Sequence, residues 1–211
     1  RCFGQDDILN SCCLCGIQPF ALHNDLCRVS IQIHHTVRIS LRKNQILHCK
    51  RGEALVHSSF AALEEKLESG WLATMNDTDY VLVEFGPMET FPYVRNAMED
   101  LFSLGYKPIL AHVERFECML ADADHVKQLH DMGCMIQTNA SSVAGDYGLK
   151  VKWFLKKLLK RHLVDFVGTD SHDLTRRKPE MKKCAETIRK VCEPEYADAL
   201  LYGNAKKILL K

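Results

Sequence analysis

Long apolar runs are missing from this chain. No stretch approaches the roughly 20 apolar residues that a membrane-spanning helix needs, so membrane insertion is not expected. An excess of one charge is missing too: 28 Lys and Arg face 27 Asp and Glu, for a net charge of +1. So even a balance lacks the electrostatic footprint of nucleic-acid binders and anionic-membrane binders. Neither partner is expected. The first residues lack the basic start, apolar stretch and small-residue cleavage site of an export signal, which makes a soluble cytoplasmic protein the expectation. The length, 211 residues, is enough for one well-buried core.

Cysteine is not scarce. There are ten, and Cys2, Cys12, Cys13, Cys15, Cys27 and Cys49 crowd the first quarter. What is lacking is a pattern that would use them. No second pair follows Cys12, Cys13 and Cys15 at zinc-knuckle spacing. A disulfide scaffold suits a smaller, exported chain. A cysteine-phosphatase loop around Cys49 would require arginine six residues on, where Leu55 stands. The cysteines are therefore expected to be neither nucleophiles nor metal ligands.

Regular periodicity is lacking in residues 1–50, which form an atypical, Cys-rich segment. From residue 51 to 211 the pattern becomes orderly. "SSFAALEEKLESG" reads as a helix stopped by Gly70. "DYVLVEF" reads as a strand ending near Glu84, and "FPYVRNAMEDLFSLG" as an amphipathic helix closed by Gly105. "KPILAHVER" is a strand running to His112, "DADHVKQLHDMG" a helix, and "CMIQTNASS" a strand ending in Gln137 and Asn139. "LKVKWFLKKLLKRH" is a helix with a basic outer face, "VDFVG" a buried strand, and the tail from "PEMKKCAETIRKVC" onward is helical. Strand–helix alternation with short connections implies an α/β single domain around a parallel sheet, either a barrel or a doubly wound sheet.

Three of these strands end in groups that are costly to desolvate unless paired: Glu84, His112, and Asp170 with His172. Parallel strands bring their C-terminal ends to one face, so these distant residues are expected to converge. A Glu/His/Asp set suits Mn²⁺, Fe²⁺ or Zn²⁺. A bridging carboxylate such as Glu84 suits a pair of ions able to activate water and clamp a phosphoryl group. Arg115, with Arg176 or Arg177, would neutralise phosphate oxygens. The plainer alternatives are that Glu84 pairs with an arginine and that His112–Arg115 is a solvated loop.

"MNDTDYVLVEF", "GYKPILAHVERF", "GCMIQTNASSVAGDYG" and "VDFVGTDSHDLTRR", in this order, resemble the manganese-dependent protein-tyrosine phosphatases of bacterial capsule and exopolysaccharide systems. That family lies within the polymerase and histidinol phosphatase (PHP) superfamily, and the resemblance runs from about residue 52 to residue 211. It implies a distorted (β/α)7, TIM-like barrel with a site for two or three Mn²⁺ ions at the C-terminal face. It implies Glu53, Glu84, His112, Asp170 and His172 as metal ligands, with Arg115, Arg176 and Arg177 binding substrate. Arg115 and Arg177 would also stabilise the reaction. The implied substrate is a phosphotyrosine protein, a bacterial tyrosine kinase, and the implied protein is a cytoplasmic hydrolase able to form an oligomer.

The front of the chain departs from the family pattern. The family opens on a strand ending in His-x-His, then an acidic turn and Thr-Pro-His. No His-x-His occurs in residues 1–50. "QDDI" stands in for the acidic turn and "IQIHHT" for Thr-Pro-His, which makes His35 the ligand candidate there. This N-terminal part is thus atypical or incomplete, and activity of this chain rests on the remaining ligands. The alternative functions are a small-molecule phosphatase of the same superfamily, acting on a histidinol-phosphate-like ester, and a catalytically impaired barrel acting as a binding or regulatory protein.

Overall fold

The computed structural model describes the backbone of residues 39–40, and residues 74–75, 78–170 and 181–209. The strands are β1 (Ile39–Ser40), β2 (Tyr80–Glu84), β3 (Lys107–Leu110), β4 (Met135–Asn139) and β5 (Phe166–Gly168). The helices are α1 (Phe91–Ser103), α2 (Glu117–Ala121), α3 (Ala123–Asp131), α4 (Ala140–Ala144), α5 (Gly148–Lys160), α6 (Lys182–Val191), α7 (Pro194–Asp198) and α8 (Asn204–Leu209). A 3-10 turn, Val113–Arg115, follows β3, and a π-helical segment, Ala199–Gly203, joins α7 to α8. The expected elements from "DYVLVEF" onward are thus present. The helix expected over "SSFAALEEKLESG" and the calls on residues 1–50 other than the β1 backbone lie outside the described residues.

Every strand pairing is parallel, and the order is β1-β2-β3-β4-β5. Among the described residues the strand order follows the chain without reversing, as expected of an α/β fold around a parallel sheet. The fold also matches the sequence signals at its corners. Pro92 sits in the first turn of α1, where its missing N–H costs nothing. Gly105 takes φ 83° just past α1, and the amides of Gly105 and Tyr106 close back on Phe102 and Leu101, a turn that favours glycine. The Asp122 side chain accepts from the Asp124 amide at the start of α3, an N-cap.

The main core lies between the sheet and its covering helices. Val81, Val83, Leu110 and Ile136 pack with Val94, Met98 and Leu101 of α1 and with Leu155 and Leu158 of α5. The opposite face is served by a smaller cluster of Met75, Ile109 and Phe166, closed by Ala205 and Ile208 of α8. Burial on both faces explains why these strands read as near-continuous apolar runs. Their polar exceptions gather at the strand ends.

Candidate active site

Four successive strands deliver polar side chains to their C-terminal ends. Glu84 is the last residue of β2, His112 lies two past β3, Asn139 is the last of β4, and Asp170 lies two past β5. All four are buried. His112 and Asp170 hold left-handed backbones, φ 34° and 49°, a conformation that bulky residues rarely adopt and that clusters at functional sites.

The His112 Nε2 stands 3.4 Å from Glu84 Oε1. Its Nδ1 is buried and has no hydrogen-bond partner among the described residues. An orphaned ring nitrogen in a protein interior is costly and calls for explanation. Arg115 donates from Nη2 to Asp170 Oδ2, and the Asn139 amide donates to the same oxygen at 3.2 Å. The solvated-loop alternative fails. Val113 and Glu114 are buried, and the Glu114 carboxylate accepts from Thr138 Oγ1 at 2.8 Å and from the Asn139 amide at 3.0 Å. Those bonds fasten the turn carrying His112 and Arg115 to β4.

These residues fit a divalent cation. Two carboxylates and an imidazole whose buried Nδ1 needs a partner are the donor types such ions take. No group of three His, Cys, Asp or Glu side chains positioned to hold a metal occurs among the described residues. The other expected ligands, His35, Glu53 and His172, lie outside them, as do Arg176 and Arg177. The structure therefore brings Glu84 to His112 and Arg115 to Asp170.

Among the described residues, cysteine chemistry does not compete. Burial pushes the thiols of Cys134 and Cys184 up to about 12, and those of Cys118 and Cys192 upward as well. A nucleophilic cysteine needs the opposite shift.

The sequence places Gln137 and Asn139 at a strand end but gives neither them nor Glu114 a task. The one available signal was a polar triplet, Gln137-Thr138-Asn139, closing an apolar strand. Nothing local says that such a triplet is buried.

The family described as "Capsular polysaccharide synthesis, CpsB/CapC" matches residues 28–210. The tyrosine-protein phosphatase CpsB of Streptococcus pneumoniae is 32% identical over 151 residues, covering 69% of this chain and 62% of that protein. The putative tyrosine-protein phosphatase CapC of Staphylococcus aureus is 28% identical over 197 residues, 91% of this chain and 75% of that one. YwqE of Bacillus subtilis, a tyrosine-protein phosphatase, is 30% identical over 154 residues, 71% of this chain and 59% of that one. A solved structure from work on YwqE and pneumococcal CpsB, described as metal-dependent tyrosine phosphatases, superposes with a TM-score of 0.65 at 28% identity. It covers 70% of this chain and 59% of that chain. The chain thus spans about 62% of the length of the streptococcal relative it matches. The family match over most of the sequence, with a relative above 30% identity, shows that this chain belongs to the CpsB/CapC family of capsular polysaccharide synthesis.

Proposed function

We propose that this protein is a metal-dependent phosphatase that removes phosphate from phosphotyrosine in a protein. The observation that carries the reading is the meeting of Glu84 with His112, whose buried Nδ1 lacks a partner among the described residues, beside Asp170 and Arg115 at the ends of successive parallel strands. The proposed scaffold is the distorted (β/α)7 barrel. Glu84, His112 and Asp170 would hold the metal, joined by Glu53, His172 and His35. Two or three Mn²⁺ ions are proposed, with Fe²⁺ or Zn²⁺ as substitutes. When bound, such ions lower the pKa of a coordinated water and neutralise phosphoryl charge.

The chain's own groups then orient the ester. Arg115 is one-quarter exposed at its side chain, and a guanidinium has five N–H donors. It can therefore keep Asp170 and still meet a phosphoryl oxygen, stabilising the charge that develops there. Arg177 and Arg176 are proposed for the same task. The Phe85, Tyr93 and Phe116 rings pack edge to face behind the site and stiffen its wall. The proposed substrate is a bacterial tyrosine kinase of capsule synthesis, and the proposed setting is the cytoplasm.

Hydrolysis of a phosphotyrosine peptide by the purified chain, measured with Mn²⁺, with chelator, and beside histidinol phosphate, tests this. Chelator-sensitive turnover favouring the peptide is expected. Preference for the small ester would make it a small-molecule phosphatase. An intact fold with neither metal nor turnover would leave a binding or regulatory protein.

A further inference from the structure

We propose that Gln137 and Asn139 form a positioning pair that sets the placement of His112 and Asp170 relative to each other. The proposal rests on the phosphatase reading above, because its two clients are metal-ligand candidates in that reading.

Residues two apart on a strand share a face, so Gln137 and Asn139 emerge together at the end of β4. Both are almost fully buried. The backbone N–H of His112 donates to Gln137 Oε1. Gln137 Nε2 donates to Asn139 Oδ1 at 3.2 Å and to the Thr138 carbonyl at 2.8 Å. Asn139 Nδ2 donates onward to Asp170 Oδ2 at 3.2 Å. The result is an unbroken line of donors and acceptors from one ligand candidate to the other. Both ends of that line are residues in left-handed backbones, which persist only where the surroundings hold them.

A carboxamide suits both links, since each side chain must accept on one side and donate on the other. A glutamate at 137 would oppose an acceptor to an acceptor. Two further observations point the same way. Asn139 stands at the N-cap of α4, where asparagine ordinarily caps the helix, yet its side chain makes no capping bond and turns to Asp170 instead. Gly168 of β5 leaves the room that the Gln137 amide fills: a Cβ there would lie 2.8 Å from Gln137 Nε2. The φ of Gly168 is not in the left-handed range, so its lack of a side chain serves this close approach.

The pair touches neither metal nor substrate and acts through His112 and Asp170. Partners behind a metal ligand typically cost 10–100-fold in metal affinity or activity when removed. Four single variants of the full chain test this: Gln137→Met and Asn139→Leu, which keep shape without hydrogen bonds; Gln137→Glu, which keeps only the acceptor; and Gly168→Ala, which pushes on Gln137 without altering the pair. Each is assayed for Mn²⁺ affinity by calorimetry, for thermal unfolding, and for kcat and KM on a phosphotyrosine peptide. Below the unfolding temperature, the expected result is Mn²⁺ binding weakened by about 10–100-fold in Gln137→Met and Asn139→Leu. The loss of turnover should fall on kcat more than on KM. A smaller loss in the same direction is expected in Gln137→Glu and Gly168→Ala. Lower thermal stability with unchanged Mn²⁺ affinity and kcat overturns the proposal and leaves the phosphatase reading standing. Failure of all four to fold overturns it as well, because a positioning pair is separable from the fold. Wild-type protein that binds no Mn²⁺ and turns over no peptide sinks the phosphatase reading, and this inference with it.

Discussion

Strands β4 and β5 carry a polar cluster at each end, part-buried at the entry and buried at the exit, and the two are built differently. At the entry of β5, the Asp165 carboxylate accepts from the Ile136 amide at 2.8 Å while the Asp165 amide returns a bond to the Ile136 carbonyl. His130 stands 3.6 Å from the same carboxylate. The Tyr196 hydroxyl donates to the Val164 carbonyl at 2.8 Å and accepts from the Val164 amide at 3.2 Å. Asn204 donates to the Asp165 carbonyl at 3.0 Å. These side chains end on backbone partners and tie α7 and α8 to the sheet. At the exit, the side chains of Arg115, Asn139 and Asp170 bond to one another, and one imidazole nitrogen has no partner among the described residues. Polar groups satisfied by backbone stabilise a fold. A buried polar atom left without a partner signals a task other than stability.

The sharpest break of that contrast is Asp170→Ala. At the exit, losing this carboxylate should lower bound Mn²⁺ and reduce turnover on the order of 10³-fold or more, the upper range for removing one charge-stabilising element. Metal analysis and steady-state kinetics read both. Unchanged metal content would make the exit cluster as structural as the entry cluster.

Arg115→Lys comes next. A lysine keeps the charge but not the planar fork that can serve Asp170 and a phosphoryl oxygen together. The expected result is retained metal with kcat/KM reduced roughly 10²-fold. Wild-type-like kinetics would remove Arg115 from the reaction.

The entry cluster should respond in the opposite currency. Tyr196→Phe removes a hydroxyl that serves two backbone groups and leaves both unpaired, at a cost of about 1–3 kcal/mol, with kcat/KM unchanged. Denaturant unfolding beside kinetics measures this. A fall in turnover with unchanged stability would reverse the assignment of the two ends.

The same tyrosine sets a pH signature. Burial, the leading cause, raises its hydroxyl above the ordinary value of 10.0. A folded-state value above the unfolded one means that the contribution is complete below pH 10 and declines as pH rises from there through the folded value. The stability gap between wild type and Tyr196→Phe should therefore narrow above pH 10. A gap that widens there would show a different cause.

The smallest effect is expected from thiol-blocking reagents at neutral pH. With Cys134 and Cys184 buried and their thiols held near 12, turnover should persist under treatment that leaves the fold intact. Rapid inactivation of folded protein would put a cysteine in the site after all.

The strand–helix order, the glycine stop at Gly105 and the strand-end placement of Glu84, His112 and Asp170 were legible in the sequence, because periodicity and turn chemistry are local. The quoted blocks carried the family resemblance for the same reason: "AHVER" and "QTNASS" are contiguous in the chain. Local pattern could not give the order of the strands in the sheet, since that depends on which strands become neighbours. It could not separate the Asp165 carboxylate from the Asp170 carboxylate either. Five residues apart and flanking one short strand, they differ only in what other elements bring to them: the backbone of β4 at one end, Arg115 and Asn139 at the other. Nor could it assign Gln137, Asn139 and Glu114, whose partners lie 24 to 31 residues away across the sheet. Residue types and spacing determined which groups stand at the strand ends. Burial and long-range hydrogen bonding, which exist only once the strands are side by side, decided which of them meet.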